Sequence, residues 1–114
     1  MGKTKNTGVT IPGIDNRNME LIINSLKQFP EIESAIVFGS RAIGNFKSGS
    51  DVDIAVKGNS INQLIYTKLS GILNEELSLP WYFDVIPFDA IKNNDLKDHI
   101  NRVGIEFYHK EIKS

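Results

Sequence analysis

The sequence contains no cysteine, which excludes a disulfide framework, a zinc–thiolate site and thiol nucleophile chemistry, and fits a cytoplasmic setting. Stability therefore has to come from packing. Neither sign of charge dominates: 13 basic and 14 acidic residues leave a formal net charge of −1. Bulk electrostatics thus gives no drive toward nucleic acid or an anionic membrane, and stable direct nucleic-acid binding is not expected. No run approaches the ~20 apolar residues that span a bilayer, and the start from Met1 to Asn6 lacks the apolar stretch of a secretion signal. No internal repeat is present. What remains is 114 residues, 40% apolar and 24% charged, the composition of one small globular domain.

Residues 1–14 mix Gly2, Gly8, Pro12 and Gly13 with lysines and threonines, which predicts a flexible N-terminal arm, and the domain is expected over 15–114. From Asp15, a plausible N-cap, to Phe29 the apolar residues recur at spacings of three and four up to Pro30, the pattern of an amphipathic helix. Residues 34–38 form a β-branched and aromatic run ending at Gly39, a buried strand entering a tight turn. A short helical segment is expected over 41–46 and a turn over 47–50, with Gly44 and Gly49 as turn formers. In residues 51–56 acidic and apolar residues alternate, so Asp51 and Asp53 share one strand face while Val52, Ile54 and Val56 share the other. A second amphipathic helix over 61–77, a third strand over 81–86 and a last helix over 93–103 complete the layout, with the tail unassigned. The fold class is α/β (α+β).

Two acids separated by one residue on a strand put their carboxylates on one side, roughly 6.5–7 Å apart at the Cα atoms, close enough to grip a divalent cation. Gly39 and Ser40 supply the complementary half, backbone N–H groups and a hydroxyl aimed at an anion. Asp84 lies in a strand that could pair beside the second, completing a site for two magnesium ions and a nucleoside triphosphate. The chemistry such a set performs is nucleotidyl transfer. Alternating acids also mark the solvated face of an edge strand, and Asp84 could face solvent in the same way. Arg41 is open to two roles, a phosphate contact or the partner of a surface acid. His99 and His109 show no metal-ligand spacing and read as surface residues without a role.

Gly39-Ser40, ten intervening residues, then Asp51-Val52-Asp53 is similar to the signature of the DNA polymerase β-like nucleotidyltransferase superfamily. The longer stretches 38–44 and 50–56 resemble the minimal nucleotidyltransferases, the small antitoxin (MNT) partners of HEPN/MNT toxin–antitoxin pairs, over roughly residues 17–110. The resemblance implies a small mixed β-sheet flanked by helices. It implies catalytic, metal-ligating roles for Asp51, Asp53 and Asp84, nucleotide-binding roles for Gly39, Ser40 and Arg41, and two Mg2+ ions with ATP as donor. It implies further that AMP is moved to a tyrosine hydroxyl of a HEPN ribonuclease toxin. Ile43 stands where many relatives carry a second basic residue, leaving Arg41 as the basic phosphate contact. A chain of 114 residues leaves no room for the acceptor-holding domain of larger relatives, so a partner or self-association is expected to provide it. Two other functions fit the same residues: a non-catalytic antitoxin that neutralises by contact, and a nucleotidyltransferase acting on a small molecule.

Overall fold

The computed structural model of the chain describes residues 8–111. The first helix, α1 (Asn16–Lys27), buries Met19, Ile22, Ile23 and Leu26, the stripe that spacings of three and four produce. Asp15 stands at its N-cap in an extended conformation, and its carboxylate accepts from Asn18 Nδ2 at 2.8 Å. The chain continues through β1 (Ser34–Phe38), the short α2 (Ser40–Ile43), β2 (Val52–Lys57), α3 (Gln63–Gly71), β3 (Phe83–Pro87), α4 (Asn94–Val103) and β4 (Ile105–His109).

The four strands form one mixed sheet in the order β3-β2-β1-β4. Antiparallel pairings join β1 to β2 and β1 to β4, while β2 and β3 run parallel, which requires the long helical crossover between them. All five residues of β1 are buried, as expected of a central strand covered on both faces. One face carries Ala35, Val37, Val52, Ile54, Val56, Phe83 and Val85 against α1 and α3. The opposite face carries a smaller cluster, Ile36, Phe38, Ala55 and Ile100, and there α4 covers only part of the sheet.

Three sequence expectations need correction. The arm expected over 1–14 does not extend to residue 14: Ile11 and Ile14 are buried in the main core, joined by a turn in which Ile14 N donates to Ile11 O at 3.0 Å. Residues 1–7 of that segment lie outside the described residues. The helix expected over 61–77 begins at Gln63, where Asn62 Oδ1 accepts from Ile65 N at 3.0 Å, and widens into a π-helical turn over Ile72–Glu76. The unassigned tail holds a strand, β4, whose register against β1 shifts between Ala35 and Ile36. That bulge lets the successive residues Phe107 and Tyr108 both enter the main core, which hides the strand's two-residue period from a sequence reading. Among the described residues no helix is long and apolar enough to cross a membrane.

Candidate active site

The site forms where β1 ends. Gly39 has φ 75° and ψ −151°, a backbone conformation essentially restricted to glycine. Phe38 pairs with Asp53 across the β1–β2 ladder, and this brings the Asp53 carboxylate against the next residue. A Cβ at position 39 would collide with Asp53 Oδ2 and lie 3.3 Å from Cγ. Glycine is thus demanded twice, by torsion and by the neighbouring acid. Ser40 opens α2, its carbonyl accepting from Gly44 N at 2.9 Å, and among the described residues its hydroxyl has no hydrogen-bond partner.

The three acids lie on the sheet face that α4 leaves partly open. Asp53 pairs in register with Asp84 across the parallel β2–β3 ladder, so their Cα atoms are neighbours at about the 4.8 Å strand spacing. Asp53 is half-buried and Asp84 exposed, while Asp51 is exposed one residue before β2 begins. Burial above all, then the charges of Asp84 and Asp51, push the Asp53 carboxyl above its usual range, while His99 works in the opposite direction. Among the described residues the ion pairs are Arg102 with Asp98 and His109 with Glu106, so none of the three acids is neutralised by a lysine or arginine. No three His, Cys, Asp or Glu side chains among the described residues converge tightly enough to hold a metal ion as they stand. An unneutralised, oxygen-only donor set on one face is nonetheless the chemistry that suits Mg2+.

Arg41, expected at the phosphates, is instead turned into the protein here. Its side chain is 1% exposed, and the guanidinium is committed to main-chain carbonyls. Nη1 donates to Pro12 O at 2.8 Å, Nη2 to Ser50 O at 2.8 Å and Ser48 O at 3.2 Å, and Nε to Ser50 O at 3.2 Å. The ring of Phe46 lies 4.8 Å from the guanidinium carbon and that of Trp81 5.7 Å, both within cation–π range. Nor does it pair with a surface acid. Arg41 instead ties the segment before α1 to the loop that delivers Asp51, and burial lowers its pKa.

Two residues that sequence reasoning left without a role belong to the site's framework. His99, on α4, takes the N–H of Gly39 on Nε2 at 3.3 Å and packs edge-on to Phe38 with ring centroids 6.2 Å apart. Leu96 and His99 are three residues apart, so His99 lies on the same stripe as Leu96, Ile100 and Val103, and that was the available signal. Asn74, in the π-helical turn, pairs with the main chain of Phe83: its Oδ1 accepts from Phe83 N at 2.7 Å and its Nδ2 donates to Phe83 O at 2.8 Å. The amide thereby substitutes for a neighbouring strand at the sheet edge, immediately before Asp84. No local pattern announces it.

This geometry, paired strand carboxylates beside a glycine-serine turn, is that of a nucleotidyltransferase. The Polymerase beta, Nucleotidyltransferase family matches residues 20–113, and the chain belongs to that family. Solved structures share the fold. A toxin–antitoxin pair crystallised with AMP-PNP matches with TM-score 0.66 and 22% identity, covering 85% of this chain and 76% of the other. A complex of tri-AMPylated Shewanella oneidensis HEPN toxin with MNT antitoxin matches with TM-score 0.64 and 19% identity, covering 85% and 74%. The MntA–HepT toxin–antitoxin pair matches with TM-score 0.62 and 19% identity, covering 84% and 74%. No curated protein sequence matches the chain closely enough to count as a relative.

Proposed function

We propose that the chain is a cytoplasmic, metal-dependent nucleotidyltransferase that transfers AMP from ATP to a tyrosine hydroxyl of a partner HEPN toxin, and so acts as its antitoxin. The observation that carries this reading is the in-register pairing of Asp53 with Asp84 beside Gly39. It sets acids for metal and a backbone turn for phosphate on one open sheet face. The likeness to toxin–antitoxin structures, one crystallised with AMP-PNP and one holding an AMPylated toxin, supports the choice of nucleotide and partner.

Asp51, Asp53 and Asp84 would hold Mg2+. Bound there, the ions would neutralise the triphosphate and lower the pKa of the attacking hydroxyl. The chain's own residues orient the reaction. Gly39 brings main chain close to the phosphates without a side chain in the way, and Ser40 offers a hydroxyl free to donate. The raised pKa of Asp53 means that this carboxylate gains from any cation that relieves its repulsion with Asp84 and Asp51.

The test is intact-mass spectrometry of the chain with its co-expressed genomic neighbour, incubated with Mg2+ and each nucleoside triphosphate, beside an Asp51→Asn, Asp53→Asn double variant. A gain of one or more AMP masses on the neighbour, absent with the variant, is expected. A second reading is neutralisation by binding alone. In that case Asp51→Asn would neutralise the toxin in cells as well as wild type does.

A further inference from the structure

Gly39 has one hydrogen-bond donor, its backbone N–H, and His99 Nε2 already accepts from it at 3.3 Å. A phosphate oxygen hydrogen-bonded to Gly39 and the imidazole of His99 therefore cannot use that donor together. The nucleotide reading above places a triphosphate at this turn, and the inference rests on that reading. We propose that His99 is a further residue of the nucleotide site: its imidazole occupies the Gly39 N–H in the free chain and yields it to a triphosphate oxygen on binding.

Three features fit a group built to be displaced. At 3.3 Å the contact lies beyond the usual range for an N–H donor and is correspondingly weak. An anionic phosphate oxygen is a much stronger acceptor than a neutral ring nitrogen, so exchange favours the ligand. Among the described residues the ring's remaining contacts are edge-on packing against Phe38 and electrostatic attraction to Asp53, with no second hydrogen bond, so it can turn aside while α4 stays anchored through Ile100, which is 2% exposed.

The experiment titrates the full chain and two variants with AMP-PNP in the presence of Mg2+ by isothermal titration calorimetry. His99→Ala removes the competing acceptor and is expected to tighten binding roughly three- to tenfold, the scale of one modest hydrogen bond. His99→Gln keeps an acceptor at similar reach and is expected to stay within about twofold of wild type. In the wild-type chain, nitrogen-15 resonances of the His99 ring should report an unprotonated, hydrogen-bonded Nε2 that shifts on saturation, together with the Gly39 amide. This readout does not depend on the alanine variant folding. Wild-type binding with weaker or unchanged affinity in His99→Ala, or with an unmoved Nε2 resonance, overturns the proposal alone. Absence of AMP-PNP binding to the wild-type chain overturns the nucleotide reading and the proposal with it.

Discussion

The backbone of Gly39 lies against the carboxylate of Asp53, so closely that a Cβ at position 39 would fall on Oδ2. The turn and the strand acid are therefore one unit: neither can move without the other. The thirteen residues between them, including the buried Arg41, form the loop that delivers Asp51 and Asp53 to this point. The β1–β2 hairpin register, Phe38 opposite Asp53, supplies the alignment.

Gly39→Ala should damage both parts at once. The positive φ of 75° and the collision with Asp53 are expected to cost about 1–3 kcal/mol or more, read as a lowered urea midpoint with an unchanged slope. Metal affinity should fall as well, because the Asp53 side chain has to turn away.

Arg41→Lys tests the structural role of the guanidinium. A lysine has no planar fork with which to reach Pro12, Ser48 and Ser50 together, and losing these part-buried bonds, with Ser48 O still held by Trp81 Nε1, is expected to cost about 1–3 kcal/mol. Under conditions where the variant stays folded, its affinity for Mg2+ with AMP-PNP should stay close to that of wild type. A loss of affinity at unchanged stability would return Arg41 to the phosphates.

Ile11→Ala should destabilise the chain by about 2–5 kcal/mol, the cost of emptying a fully buried aliphatic site. Deleting residues 1–7 is a useful contrast, to be measured by thermal unfolding beside it.

Asp53 fixes a pH dependence. Its folded-state pKa is raised above the ordinary value of 3.8, with burial as the first cause and Asp84 as the second. The native state therefore holds a proton that the unfolded state has released, and this group's contribution to stability falls as pH rises from about 4 through the raised pKa. Without divalent cations, Asp53→Asn should flatten that part of the profile and raise the melting temperature at neutral pH. Added Mg2+ should stabilise wild type at neutral pH and leave the variant nearly unmoved, as measured by calorimetry.

Much of this architecture was legible in the sequence. The alternation of residues 51–56 put Asp53 on the face opposite Val52, Ile54 and Val56, and the structure agrees because β2 is a straight strand with one apolar face to bury. The Gly39–Ser40 turn was legible for the same local reason, a strand-end run followed by a residue with special torsions. The missing parts are long-range. Arg41 looked like a phosphate ligand because it follows Gly-Ser, and only the fold shows carbonyls from 29 residues before it and 7 and 9 residues after it. His99 was passed over because a helix stripe tells which face packs, not what lies beneath it. Ile11 was hidden by the glycines and proline around it, whose composition outweighed two apolar residues.

The central claim is nucleotidyl transfer at the Asp51, Asp53, Asp84 face. Its most direct measurement incubates the chain, its co-purified partner and Mg2+ with ATP labelled at either the α or the γ phosphorus, and follows label on protein. The account predicts label from the α position only, retained on the partner and lost with the Asp51→Asn, Asp53→Asn variant. Label from the γ position, or equal α label with the variant, would contradict it.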